Sequence, residues 1–272
     1  MAYIKFHFNI PDEQVREMLV AILSGYDFSG FEEDGNSLYA YTENGQLDEN
    51  AIKNIAQQYG LDYSKEVVET KNWNEEWEKD FKPVIVGSFC TVRAHFHTMP
   101  VNTKFDIVIT PKMSFGTGHH ATTQLMIAHM EYVDFNGKNV LDFGTGTGVL
   151  AILAEKLGAA GVMAIDNNEW SVENTNENIG RNNCYAITAR LATLDMIVAE
   201  EPYDIILANI NRYILLQHMQ QMRELLVHGG ILVMSGLLKE DEAVIKEAAI
   251  DNGLKLKKQA ELNNWIMLSF EK

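Results

Sequence analysis

The sequence predicts an α/β protein in two parts: a small α+β domain of ferredoxin-like order, then a larger, mostly parallel sheet covered on both faces. Three observations predict it. Residues 1–70 carry apolar patterns in the order βαββαβ. From residue 139 onward, apolar strands alternate with helical patterns, as in a parallel sheet buried on both faces. The last two strand patterns, "LKLKKQAEL" and "WIMLSF", are separated only by a short polar turn. Two such strands without a helix between them form an antiparallel hairpin at the sheet edge.

The first part reads element by element. In "YIKFHFNI", Ile4, Phe6, Phe8 and Ile10 take one face and Lys5, His7 and Asn9 the other, which is a half-buried strand. Pro11 suits a first helical turn, and Asp12 and Glu13 suit its positive end. Val15, Met18, Leu19 and Ile22 give the apolar stripe of a helix that Gly25 closes. Residues 28–42 read as two strands around Asp34-Gly35, a hairpin signal. A helix over 49–59 buries Ile52, Ile55, Ala56 and Tyr59, and "SKEVVET" is the last strand. Residues 71–82, "KNWNEEWEKDFK", place two tryptophans four apart among charges, which predicts a short amphipathic linker helix. The boundaries are therefore 1–70, 71–82 and 83–272.

In the third part, residues 84–110 read as strands leading to a loop, "MSFGTGHHATTQL". The strands "NVLDF", "VMAID", "YDIILANI" and "GILVMSG" follow, with helical patterns between them.

Composition narrows the function. The chain has 272 residues, 46% of them hydrophobic, enough to bury a sizeable core. No apolar run approaches the ~18 residues of a membrane span, and the start lacks a signal-peptide pattern. Cys90 and Cys184 have no metal-like spacing and read as reduced thiols, so a cytoplasmic location is expected. The net charge is −16, and residues 1–70 hold thirteen acids against four bases. That field repels phosphates, so nucleic-acid binding through this part is disfavoured and a basic protein partner favoured. An acidic surface that only aids solubility is the plainer alternative.

Two glycine loops carry the chemistry. The loop at 113–120 looks phosphate-binding but has Gly118-His119-His120 where that signature needs Gly-Lys-Ser/Thr. The second loop, Gly144-Thr145-Gly146-Thr147-Gly148, joins "NVLDF" to a helix starting at Val149. Glycines there let backbone approach a ligand. The next strand ends at Asp166, placed to meet ribose hydroxyls. This spacing indicates a nucleoside cofactor. A nicotinamide dinucleotide is one reading, since Gly146-x-Gly148-x-x-Ala151 fits its loose pattern. Three features favour S-adenosylmethionine. Asp142 suits a cationic α-amino group and would repel a pyrophosphate. The edge hairpin is the usual ending of the methyltransferase variant of this sheet. Asn209 ends the fourth strand, "ILANI", where that variant places a polar residue beside the methyl group. As bland readings, Asp142 is a loop brace, Asp166 a helix cap and Asn209 a turn residue. "LANI" lacks the Asn-Pro-Pro-Tyr run of amide and adenine methyltransferases.

The motifs "MSFGTGHHATTQL", "VLDFGTGTGVLAI", "AIDNNEW" and "LANI", behind the acidic domain and "NWNEEWEKDFKP", resemble those of bacterial ribosomal protein L11 methyltransferases over essentially the whole chain. The resemblance implies a Rossmann-like class I methyltransferase sheet. It implies transfer of methyl groups from S-adenosylmethionine to lysine or N-terminal amino groups of that basic ribosomal protein. It implies substrate recognition by the first domain across a flexible linker. Residue by residue, it makes Thr123, Gly144, Asp166 and Asn209 cofactor contacts, with Asp142 and Gly146 beside them. It makes Phe115 an aromatic of the loop covering the site, so that Asn209 and Phe115 are the groups nearest the reaction. Thr145 and Thr147 stand where Cys or Ser is common, and Asn167-Asn168 departs from the usual pair after the ribose acid. The 113–120 loop then reads as a lid, with Thr122 or Thr123 capping the helix behind it. Adjacent His119 and His120 point different ways, so no metal site is expected. Two other functions are an oxidoreductase and a non-catalytic docking protein of the translation machinery.

Overall fold

The computed structural model describes residues 2–43, 49–69, 81–112, 114–197 and 202–272. The chain divides into two compact units, Met1–Lys79 and Asp80–Lys272. The expected linker helix lies outside the described residues except for Phe81 and Lys82.

The first unit is a four-stranded antiparallel sheet of order β2-β3-β1-β4. Its strands are β1 (Ala2–Asn9), β2 (Gly30–Asp34), β3 (Ser37–Glu43) and β4 (Tyr63–Glu69), with helices α1 (Glu13–Leu23) and α2 (Glu49–Gln58). This is the ferredoxin-like arrangement that the βαββαβ order predicts. Alternation in β1 sends Phe6 and Phe8 into the core with Leu19, Leu23 and Ile52. Helix α1 begins later than Pro11 suggests: Asp12 is its N-cap and accepts from the Gln14 and Val15 amides at 2.9 and 3.3 Å. Its buried face is also turned from the expected stripe and centres on Arg16, Leu19 and Leu23. Arg16 belongs there because its guanidinium donates to the Ile10 carbonyl at 2.7 Å and to Glu33 at 3.2 Å. Tyr59 falls past the end of α2 and is exposed.

The second unit opens with a small sheet of β5 (Val84–Val86), β6 (Cys90–Ala94) and β7 (Phe105–Ile109). Helix α3 (Ala121–Met130) follows. The main sheet then builds from β8 (Asn139–Phe143), α4 (Val149–Lys156), β9 (Gly161–Asp166), α5 (Glu169–Arg181), β10 (Ile187–Leu191) and β11 (Tyr203–Asn209). Helices α6 (Arg212–Gln217) and α7 (Met219–Leu225), strand β12 (Leu226–Leu238), helix α8 (Glu242–Asp251) and the hairpin β13 (Lys255–Leu262) and β14 (Trp265–Glu271) complete it. The order is β10-β9-β8-β11-β12-β14-β13, parallel except for β14. Both faces are apolar, which is why its strands read as continuous runs. Val140, Ile205, Leu207 and Val233 pack on one side. Leu141, Ile206, Ala208, Leu232 and Met234 pack on the other.

Helix α5 has a polar seam that hydropathy does not reveal. Asn174, Thr175 and Asn178 are fully buried. Asn178 accepts from the Thr110 amide at 2.7 Å and donates to the Thr147 carbonyl at 2.8 Å. Thr175 donates to the Gly146 carbonyl at 2.9 Å. One helix thus fixes both the glycine loop after β8 and the chain entering the loop at 113–120.

Candidate functional site

The site lies at the C-terminal ends of the parallel strands, where loops leave the sheet and ligands enter folds of this kind. A cavity of about 420 Å³ opens there, walled by Gly144 and Gly146 below, Asp166 and Asn209 at the strand ends, and Phe115 and Trp265 above. A second hollow of about 190 Å³ shares Gly144, Asp166 and Asn167 and runs on to Phe143, Ala192, Leu194 and His218.

The glycines are required by space as well as by conformation. Gly144 has φ 77°, and a Cβ there would stand 2.3 Å from the Ile210 side chain. Gly146 has φ 58°, and its Cβ would stand 2.3 Å from the carbonyl oxygen of Phe115. Such contacts leave the loop backbone bare toward the cavity. They also explain why the chain has two glycine loops, because the loops interlock. The Thr147 amide donates to the Phe115 carbonyl at 2.9 Å, and the Thr147 hydroxyl donates to the Gly116 carbonyl at 2.7 Å. Phe115 itself is half exposed over the cavity.

Asp166 is held by both oxygens. One accepts from the Gly146 amide at 3.0 Å and the other from the Asn168 amide at 3.0 Å. Each oxygen keeps acceptor capacity for a ligand hydroxyl. Asn168, not Asp166, caps helix α5. Asn209 lines the cavity, and its Nδ2 is 3.4 Å from the Thr123 hydroxyl. Its Oδ1 is buried and has no hydrogen-bond partner among the described residues. Thr123 is fully buried behind Asn209 and does not line the cavity.

Asp142 also stands behind the cavity wall. It is 1% exposed and accepts from the Thr145 hydroxyl at 2.7 Å. Burial pushes its carboxyl up to about 7, against the opposing pull of that hydroxyl and the Ala151 amide. This geometry is that of a loop brace. The folded pKa is raised above the ordinary carboxylate value, so folding favours the protonated form. The associated stability is present below about pH 4 and is lost as pH rises toward 7. Asp142→Asn keeps an acceptor for Thr145 without ionising. Its melting temperature relative to the wild type should therefore climb between pH 5 and 8, by the equivalent of about 2–3 kcal/mol. A pH-independent difference in thermal unfolding would contradict this account.

Two placements, those of His120 and Trp265, depart from the sequence reading. His120, rather than Thr122 or Thr123, is the N-cap of α3: its Nδ1 accepts from the Thr122 amide at 3.3 Å. His119 points the other way, as the sequence reading has it, with Nε2 2.8 Å from the Lys82 carbonyl oxygen. Trp265 and His120 join the cavity wall with ring centroids 4.5 Å apart, and Phe115 lies 5.3 Å from His120. Nothing in the local pattern singles out Trp265. It follows the turn Asn263-Asn264, both at positive φ, and the hairpin carries it to the site.

A parallel sheet of this order, closed by an antiparallel pair and cradling a cavity on glycines at its C-terminal edge, is the architecture of a class I methyltransferase. The chain belongs to the ribosomal protein L11 methyltransferase (PrmA) family, whose model matches residues 16–272. Relatives named ribosomal protein L11 methyltransferase are 39% identical in Porphyromonas gingivalis, covering 99% of this chain and 98% of that one. The relative of that name in Bacteroides thetaiotaomicron is also 39% identical, covering 99% of each. A solved structure described as ribosomal protein L11 methylase, from Lactobacillus delbrueckii subsp. bulgaricus, superposes with a TM-score of 0.64 at 29% identity. It covers 69% of this chain and 97% of that one.

Proposed function

We propose that the protein transfers methyl groups from S-adenosylmethionine to amino groups, lysine or N-terminal, of ribosomal protein L11 in the cytoplasm. The observation that carries the reading is the cavity itself: bare glycine backbone, a pinned Asp166, a partnerless buried Asn209 oxygen and an aromatic rim. These residues fit the cofactor. Asp166 would take the ribose hydroxyls, Gly144 and Gly146 would let the chain past the methionine end, and the Phe143–Leu194 hollow would take the base. Asp142 acts through the loop rather than by touching the ligand. When bound, the cofactor supplies an electrophilic methyl on a sulfonium.

The chain's own residues align and desolvate the amine. A lysine is mostly protonated at neutral pH, and an apolar rim of Phe115 and Trp265 disfavours its charged form. The Asn209 Oδ1, buried and without a partner among the described residues, would accept from the neutral amine and aim its lone pair. No helix among the described residues is long and apolar enough to cross a membrane.

The first unit is the docking module for the basic substrate, and the second performs the chemistry. The support is the charge: over half the net −16 lies in residues 1–70, whereas every glycine-loop residue lies after 112. Incubation with labelled S-adenosylmethionine and L11, followed by mass spectrometry, should find methylated amines on L11. A chain starting near Lys82 should still bind cofactor but lose at least about a hundredfold in L11 methylation, as when a substrate's remote binding energy is removed. Full-rate methylation by that truncated chain would overturn the docking role.

A further inference from the structure

The four-stranded sheet of the first unit has two unlike faces. Helices α1 and α2 both pack on the face that carries Phe6 and Phe8, where Leu19, Leu23, Ile52 and Ile55 meet them. Directly paired residues of an antiparallel sheet share a face, so the register defines the other one. Lys5 stands between Tyr41 and Glu66, and His7 between Tyr39 and Ser64. Tyr39 in turn pairs with Glu32 on the edge strand β2. Lys5, His7, Tyr39 and Tyr41 are half-buried and Glu32 and Glu66 exposed, so the described helices leave this face open.

The open face is aromatic in its middle and acidic at both rims. The Lys5 ammonium lies 4.3 Å from the centre of the Tyr39 ring, and the His7 ring stacks on Tyr39 at 4.8 Å. Tyr39 thus already meets one cation with its π face, the contact a tyrosine offers to a lysine or arginine. At the β2 rim the Tyr41 hydroxyl donates to Glu32 at 2.8 Å. Burial, together with that carboxylate, pushes the Tyr41 phenol up to about 12. The phenol therefore stays a donor and holds the carboxylate in place. At the β4 rim Glu66 lies 3.3 Å from Lys5. Asp34, opposite Ser37, adds a third carboxylate to the face against the single Lys5. The helical side also carries exposed acids, Glu13 and Glu17, which makes the two sides separable by mutation.

We propose that this open sheet face, rather than the helical side, is where the first unit docks its basic protein partner, with Tyr39 and Tyr41 receiving lysine or arginine side chains between the Glu32 and Glu66 rims. The proposal rests on the reading of L11 as the substrate. Charge complementarity selects the partner, because a surplus of carboxylates attracts a basic surface and repels phosphates. Tyrosines supply the stiff, amphipathic contact area that such interfaces concentrate their energy on.

Calorimetry of the full chain with unmethylated L11 tests the face, and mass spectrometry of L11 follows methylation separately. The double variant Glu32→Gln/Glu66→Gln keeps an acceptor for Tyr41 and removes two charges. It should bind L11 at least about tenfold more weakly than the wild type. The gap should narrow in about 1 M salt, where the Debye length falls to about 3 Å. Glu13→Gln/Glu17→Gln removes the same charge from the helical side and should stay within about twofold of the wild type, since exposed charges beyond a Debye length are screened. Tyr39→Leu should weaken binding about threefold or more, as for loss of an exposed cation–π contact, whereas Tyr39→Phe should not. Equal affinity of the two double variants for L11 would overturn the face, and so would an absence of binding between L11 and the wild type. Face-dependent binding without methylation would uphold the face and overturn the methyl-transfer reading instead.

Discussion

Asp166→Ala should weaken S-adenosylmethionine binding about a hundredfold in calorimetry. Two effects add. The substitution would remove the two hydrogen bonds proposed between Asp166 and the ribose hydroxyls, each charge-assisted and worth about 1.5–3 kcal/mol at most. It also releases the Gly146 and Asn168 amides, which the carboxylate now holds at 3.0 Å each. The second effect loosens the glycine loop itself, so the loss should exceed that of a ribose contact alone. Asp166→Asn offers a finer test. It can still accept from one amide but loses the charge, and its affinity should fall between the two. A folded Asp166→Ala protein within about threefold of wild-type affinity, well under one such hydrogen bond, would remove Asp166 from the cofactor site.

Legibility in the sequence followed the range of the interactions. Elements whose burial obeys a local period were visible: the alternation of β1, the apolar runs of β8, β9, β11 and β12, and the edge hairpin. Strand β10, "ITARL", was not, because at the sheet edge its side chains are largely exposed and its pattern is weak. The asparagines of α5 look like a solvated face, yet Asn174 and Asn178 are fully buried. Their partners lie 31 to 68 residues away along the chain. No local window encodes such bonds. The same holds at the site. Gly144, Asp166 and Asn209 were legible because a strand end and a turn fix them. Trp265 and the capping role of His120 were not, since only the closed sheet and the interlocked loops bring them to the cavity. Thr145 and Thr147 looked like neutral departures from the family pattern. In the fold, one bonds Asp142 and the other ties the loop of Phe115 and Gly116 to the glycine loop.

That tie is the basis of the last expectation: Gly146→Ala should nearly abolish methyl transfer. An alanine at φ 58° costs about 1–2 kcal/mol in backbone strain alone. The larger problem is contact, since the new Cβ would lie 2.3 Å from the Phe115 carbonyl oxygen. That oxygen is main chain and already accepts from the Thr147 amide, so it can retreat only by unlocking the lid loop. Phe115 would then leave its place over the cavity, and the amine would meet a wetter, less ordered site. Loss of alignment and of water exclusion acts on the transition state, so kcat should fall more than about a hundredfold, with a smaller loss in cofactor affinity. Gly253→Ala is the control. Gly253 has φ 76° but open space where its Cβ would go, so the substitution should cost about 1 kcal/mol of stability and leave kcat unchanged. If Gly146→Ala behaved like Gly253→Ala in single-turnover methylation, the two loops would not act as one unit, and the reading of Phe115 as a lid would fall with it.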